Sequence, residues 1–343
     1  MKVIFSSNRN PHFETFVEYI ENAFKANDCE TVFFENRDFI IPGRIRDRID
    51  FLHKWDLQRI NKNLLELAHS CKPDIFFEGG GWNILPETLD AMSKMDITTA
   101  LWTIDVPWRF GPIKRHAPHY DYVFTQGSEA FDILKDHKIN NLYWMPFACD
   151  PDFHKPVTLT DEDRKRYACD ICFVGSGGEE LYPNRRRLLE TLVDFNLGIW
   201  GPGWDSLPDN SSLKKFIRGG HTRPEEWTRI YSASKIALCI HYHDPSGKVL
   251  CYQASPRVYE VMACGALLLV DGQKDLLQLF TSGEDLVVFR DEKELREMVK
   301  YYLEHPEEAN RIAANGRKKV LESHTYRDRV SDILSIVGRS TSE

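Results

Sequence analysis

The chain has 343 residues, 42% hydrophobic and 28% charged, with 52 acidic against 44 basic side chains and a formal net charge of −8. That describes a soluble globular protein with too much chain for one ordinary core, and it predicts about two domains of roughly 150 residues each. The acidic balance disfavours a nucleic-acid or membrane-surface partner, and no apolar run is long enough to span a bilayer. Eight cysteines without a disulfide framework predict reduced thiols, several of them buried in apolar runs (Cys172, Cys239, Cys264), in a cytoplasmic protein.

The opening "MKVIFSS" reads as a strand, not a signal peptide. Phe13, Phe16, Val17, Ile20 and Phe24 then recur at helical spacing, "TVFFE" is a strand, and Arg48 to Ser70 is a long amphipathic helix carrying Ile49, Leu52, Leu57, Ile60, Leu64 and Leu67. "DIFFEGGGWN" is a strand running into a glycine turn. "TTALWTIDVP", "YDYVFTQ" and "NLYWMPFACD" complete about six strands in the first half. From Asp150 to Arg166 the composition turns polar and proline-bearing, which marks an interdomain connection. The pattern restarts with "CDICFVGS", the helix "NRRRLLETLVDF", "LGIWGPGW", the helix "PEEWTRIYSAS" and "KIALCIHYH". Alternation of this kind predicts an α/β protein with two doubly wound parallel sheets. The predicted boundaries are 1–153, a linker at 154–168, 169–325, and a terminal helix at 326–343.

The segment "ASPRVYEVMACGALLLVDG" carries the strongest chemical signal. Ser255 is a good N-cap, Pro256 suits the first helical position, and Gly265 supplies the left-handed residue that stops the helix. Arg257 and Glu260 share one helix face near amides that attract anions. They fit a diphosphate and ribose hydroxyls respectively; the plainer alternative is a solvent-facing ion pair. Gly175, Gly177 and Gly178 follow a strand directly, so backbone amides can approach a phosphate there, with Arg185 on the next helix. The stretch has neither GxGxxG nor the P-loop ending, so neither a dinucleotide nor ATP is indicated. If the two halves face each other, the turns at Asn8, Gly79–Gly81, Asp105, Gly175, Gly201 and Ser255 would line one cleft.

"CDIC" lies within a strand, where positions three apart point to opposite faces, and so does not converge on a metal. His241 of "HYH" reads as structural or substrate-contacting, with no third ligand nearby. The acidic pairs Asp150/Asp152 and Asp161/Asp163 read as solvated linker residues. Asp105 ends an apolar strand and has two readings, a general base or an aspartate that orders the "DVPWRF" loop. Trp82 and Trp108 read as packing residues, with stacking on a sugar as the alternative.

These residues carry a resemblance. "LWTIDVPWRF", "YDYVFTQGSEAFDIL", "YWMPFACDPDFHKP", "ICFVGSGGEELYPNRRRLLETL", "IWGPGW", "IYSASKIALCIHYH", "SPRVYEVMACGALLLVD" and "SHTYRDRVSDIL" appear in the order seen in GT-B glycosyltransferases of the CgeB-like (spore maturation protein B) group. The resemblance implies two Rossmann-like domains facing a cleft, with a nucleotide-sugar donor, UDP-sugar favoured, on the C-terminal one and an acceptor hydroxyl of a glycan, protein or small molecule on the other. No obligatory cofactor or metal is implied. By similarity Glu260 would contact the donor ribose, with Ser255, Arg257, Arg185 and the Gly175–Ser176 and Gly201 turns at the diphosphate. His221 and Thr222 would lie near the base. Asn8, Gly80, Gly81 and Trp108 fall on the acceptor side, with Asp105 as the base, and the helix from Tyr326 would cross back to the N-terminal domain. Retaining GT-B enzymes carry an acidic residue seven positions before the ribose glutamate; here that position is the neutral Gln253. A nucleotide-sugar epimerase or hydrolase, and a non-catalytic nucleotide-sugar-binding protein, stand as alternatives. The acidic balance disfavours a fourth reading, glycosylation of DNA bases.

Overall fold

The computed structural model describes residues 1–104, 110–177, 182–244 and 246–339. Contacts divide the chain into two units, Met1–Pro146 with Tyr326–Glu343, and Phe147–Thr325. Each is built on one parallel sheet of six strands.

In the first unit the strands are β1 (Lys2–Ser7), β2 (Glu30–Glu35), β3 (Ile75–Gly79), β4 (Thr98–Thr103), β5 (Tyr122–Thr125) and β6 (Leu142–Trp144), in the order β2-β1-β3-β4-β5-β6. Val3, Ile4, Phe5, Phe76 and Phe77 are fully buried, as the continuous apolar runs require of strands covered on both faces. The Phe16–Ala26 helix starts at a capping box in which Thr15 and Glu18 exchange hydrogen bonds. It lays Phe24 against Phe77, ring centroids 5.0 Å apart. The Tyr326–Arg339 helix packs beside it, with Tyr326 near Tyr19 and Trp102, and Arg329 Nε donates to the Pro146 carbonyl at 2.9 Å.

The long helix forms as Asp50–Cys71, but its buried face differs from the apolar count. Ile49 is 47% exposed, whereas Asp56 is completely buried. The Asp56 carboxylate accepts from the amides of Ile40 and Ile41 and from Arg59 Nε, so it secures the preceding loop to the helix. Those bonds outweigh the burial that opposes its charge, and its pKa falls below the usual carboxylate value. The strand expected from "NLYWMPFACD" is only Leu142–Trp144.

The second unit contains β7 (Cys169–Val174), β8 (Leu197–Trp200), β9 (Ile217–Gly219), β10 (Ser234–Cys239), β11 (Leu267–Asp271) and β12 (Val287–Phe289), in the order β12-β11-β10-β7-β8-β9. The chain therefore leaves β7 first to one side and then, at β10, to the other. Doubly wound sheets bind ligands beyond the carboxyl ends of the two strands at such a reversal. The stretch 154–168, expected as a linker, packs within this unit: His154 is 2% exposed, and Asp161–Tyr167 is a helix with a Thr160–Asp163 capping box. Asp150 is likewise buried instead of solvated, because Oδ1 accepts from the amides of Asp152 and Phe153 and closes a turn. Cys169 and Cys172 sit buried on β7 with free thiols.

Two glycine turns close on each other at the reversal. The Gly175 amide donates to the Trp200 carbonyl at 2.8 Å, and the Trp204 indole N–H donates to the Gly175 carbonyl at 2.8 Å. Gly201 has φ +138°, and a Cβ on it would stand 2.2 Å from that same carbonyl oxygen. Both its conformation and its surroundings therefore demand glycine. Gly201→Ala should destabilise the protein by at least about 2 kcal/mol, read as a lowered urea midpoint, whereas Gly220→Ala, with no neighbouring atom within 4 Å, should leave the midpoint nearly unchanged.

Candidate functional site

The Pro256–Ala263 helix begins beside the reversal. Ser255 occupies the N-cap position with extended backbone, but its hydroxyl makes no capping bond; only its carbonyl accepts, from the Val258 amide at 3.0 Å. Pro256 fills the first turn, and Gly265, at φ +75°, ends the helix in the left-handed conformation. Val258, Tyr259, Val261 and Met262 anchor the helix in the core.

Arg257 and Glu260 are not a solvent-facing ion pair. Glu260 is buried, and neither residue forms an ion pair with the other. The Arg257 guanidinium carbon lies 3.5 Å from the point where a Gly175 side chain would begin. Arg185 reaches the same turn from the Pro183–Glu190 helix. It donates through Nε and Nη2 to the Ile240 carbonyl and through Nη1 to the Ser176 carbonyl at 2.9 Å, and it stacks over the Tyr182 ring at 3.7 Å. Arg185 is thus braced across the ends of β7 and β10 and is less free than its sequence position implied.

Among the described residues neither arginine has a carboxylate partner within ion-pair distance. Burial lowers the pKa of Arg185, and the positive charge of Arg257 lowers it further. At Arg257 burial works against the charge, but Cys239, Tyr231 and Glu260 outweigh it and raise the pKa. Burial pushes the Glu260 carboxyl up to about 7, against the pull of Arg257. Two guanidiniums at one glycine turn, beside the start of a helix, are groups able to hold an anion such as a phosphoryl group.

Several residues around this core carried no strong sequence signal. His154 Nε2 lies 3.9 Å from Glu260 Oε1, while its Nδ1 accepts from the Asp150 amide at 3.0 Å. Burial pushes the His154 pKa down to about 4, so the ring is neutral at pH 7. Tyr231 is buried, and among the described residues its hydroxyl has no hydrogen-bond partner. Asp271, at the end of β11, accepts from the amide and the Nδ1 of His241, both at 2.8 Å, and pairs with His243 Nε2 at 2.5 Å. Burial opposes its ionisation, but the two histidines outweigh that and hold the carboxyl well below the usual range. The acidic character of Asp271 and the HYH repeat were visible in the sequence; their pairing needed β10 and β11 side by side.

The other expected donor residues are spread along the same edge. Gly201 donates to the Gly219 carbonyl at 3.0 Å, so the end of β9 adjoins the glycine turns. His221 and Thr222 follow β9, two strands away from Gly175 in sheet order. Thr222 Oγ1 accepts from the Trp227 indole at 2.8 Å, which is a structural task, while His221 is exposed. Gln253 Oε1 is a buried oxygen with no hydrogen-bond partner among the described residues.

In the first unit, Asn8, Gly80 and Gly81 line one cavity of about 880 Å³ at the carboxyl ends of β1 and β3, where that sheet also reverses. Arg9, Asn36 and Glu78 line it too. The Glu78 carboxyl accepts from the Gly81 amide at 3.2 Å and from the Tyr120 hydroxyl, and burial pushes its pKa up to about 7. Asp105 and Trp108, the expected base and acceptor aromatic, lie outside the described residues.

Comparison with known proteins agrees with this architecture. Residues 185–335 match the sequence family described as "Glycosyl transferase-like". The chain is 20% identical over 266 residues to Spore protein CgeB of Bacillus subtilis (strain 168), covering 74% of this chain and 80% of the relative. Among solved structures it is similar to sucrose-phosphate synthase from Thermosynechococcus elongatus, with TM-score 0.70, 13% identity and 99% of both chains covered. It is also similar to Anabaena Alr3699/HepE, solved in complex with UDP-glucose, with TM-score 0.67, 12% identity, and 100% of this chain and 99% of that one covered. In this chain that fold consists of two six-stranded parallel sheets, each reversing at its first strand. The chain resembles Spore protein CgeB in sequence and has the GT-B fold of glycosyltransferases.

Proposed function

We propose that the protein transfers a sugar from a nucleotide-sugar donor, a UDP-sugar by preference, to a hydroxyl acceptor. The observation that carries this reading is the pair of guanidiniums, Arg257 and Arg185, at the Gly175–Ser176 turn without a carboxylate partner. Cleavage of the sugar–oxygen bond leaves its electron pair on the diphosphate. Fixed positive charge at the start of the Ser255 helix stabilises that charge as it develops, with no obligatory metal. Glu260, three residues along, accepts from the ribose hydroxyls. Ser255 supplies a hydroxyl for the diphosphate, and His221 and Thr222 flank the base. The polar cavity at Asn8, Gly80 and Gly81 is the candidate acceptor site, and Asp105 is the candidate base that takes the acceptor proton. The UDP-bound state of the similar Anabaena protein supports UDP as the nucleotide to try first.

Calorimetric titration with UDP tests the diphosphate assignment. Arg257→Gln should lower UDP affinity about 30-fold, as loss of a charge-assisted hydrogen bond in a desolvated site implies, with circular dichroism unchanged. Unaltered affinity in a folded variant would remove Arg257 from the site.

Glu260 offers a test in which stability and binding move in opposite directions. Its folded pKa of about 7 lies above the unfolded value of 4.5, so its contribution to stability is fully present below pH 4.5 and is lost as pH rises through 7. Ionised at pH 8, it opposes folding by an amount on the order of 3 kcal/mol. Glu260→Gln should therefore raise the urea midpoint at pH 8 and flatten its decline between pH 5 and 8, while weakening UDP binding about tenfold. A variant that is less stable and binds UDP normally would make Glu260 a structural residue.

A further inference from the structure

The Asp271–His241 pair is not absorbed by binding of a diphosphate. An ionised carboxylate only accepts, so His241 Nδ1 carries the ring hydrogen toward Asp271 Oδ1 at 2.8 Å. The same oxygen takes the His241 backbone N–H, which fixes the ring against the end of β11. His243 occupies the other carboxylate oxygen. In the neutral ring Nε2 is then the acceptor nitrogen, on a residue that is 5% exposed overall, and it has no hydrogen-bond partner among the described residues. A buried acceptor left in that state costs free energy unless a ligand satisfies it.

The ring geometry gives that lone pair a direction. Nδ1 and Nε2 diverge across the imidazole, so with Nδ1 turned to Asp271 at the end of β11, Nε2 is directed away from that carboxylate. The other sheet neighbour of β10 is β7, which leads into the Gly175–Ser176 turn. The residue before His241 accepts Arg185 through its carbonyl, so the imidazole adjoins the proposed diphosphate site. A phosphoryl group offers only acceptors at neutral pH and does not satisfy Nε2. A hydroxyl does. Gln253 Oε1, buried and likewise without a partner, is a second acceptor in the segment that leads into the Ser255 helix.

We infer that His241 Nε2 accepts a hydrogen bond from a hydroxyl of the donor's sugar, with Asp271 as the positioning residue that holds the ring in the Nδ1–H form. The inference rests on the donor reading above and deepens it: it gives this histidine the task of distinguishing a nucleotide sugar from the bare nucleotide. A site built to meet a hydroxyl discriminates strongly against ligands that lack it, because the buried acceptor is then left unpaired.

The test is calorimetry on the full chain with UDP, UDP-glucose, UDP-galactose and UDP-N-acetylglucosamine, for the wild type and for His241→Phe, which keeps a ring and removes the lone pair. For the sugar nucleotide that the wild type binds most tightly, the variant should lose about tenfold in affinity, while UDP changes by less than about twofold. Equal losses for UDP and the sugar nucleotides, or no loss for either, would overturn the inference and leave the donor site standing. Failure of the wild type to bind UDP and all three sugar nucleotides would overturn the donor reading and this inference with it. Nitrogen-15 NMR of the wild-type histidines gives an answer even if the variant does not fold. The His241 ring should be in the Nδ1–H form, and its Nε2 resonance should move on addition of the sugar nucleotide but not of UDP. An Nε2–H ring, or equal movement with both ligands, contradicts the assignment.

Discussion

Two guanidinium groups held at a single glycine turn, with no carboxylate among the described residues paired to either, are the constraint around which the second unit is organised. Like charges brought this close in a partly desolvated place repel, and the fold has to hold them there by other means. Arg185 is fixed by the carbonyls of Ile240 and Ser176 and by the Tyr182 ring. Arg257 is carried by a helix that Val258, Tyr259, Val261 and Met262 anchor in the core. The turn itself is fixed by Trp204 and by Gly201, which admits no side chain. Positive charge is thus prepared before any ligand arrives, as preorganised stabilisation of an anion requires.

Both units bury a carboxyl group close to the carboxyl edge of their sheets, and in both burial raises its pKa to about 7. Glu78 meets a backbone amide and a tyrosine hydroxyl from its own unit. Glu260 has Arg257 nearby and His154 at 3.9 Å, without a hydrogen bond that would settle its charge. The two groups share a burial cost and differ in how far the protein itself offsets it. A carboxyl so incompletely satisfied is expected where a ligand supplies the missing donors.

Much of the architecture was legible in the sequence because its signals are local. Continuous apolar runs bounded by glycine or proline specify strands covered on both faces, and amphipathic stretches between them specify the crossover helices. The Ser-Pro start and Gly265 stop of the key helix are local as well, as is the proximity of Arg257 and Glu260 on one helix face. Other features were misread because a partner distant in sequence decides them. Ile49 is periodic yet exposed, and Asp56 is charged yet buried, because the loop amides of Ile40 and Ile41 need an acceptor. Asp150 and His154 looked like solvated linker residues, and a turn buries them in the second unit.

The sequence by itself determined two parallel α/β sheets and the glycine turns at their edges, since each depends on residues within a few positions of one another. Only the tertiary structure decided that Arg185 is tied to β10, that Asp271 orients His241, and that Glu260 is buried next to His154. Those pairings join segments 30 to 106 residues apart or more loosely spaced strands, and they exist because parallel strands bring distant carboxyl ends into one row. Strand order, which no local pattern encodes, is therefore what turns scattered polar residues into a site.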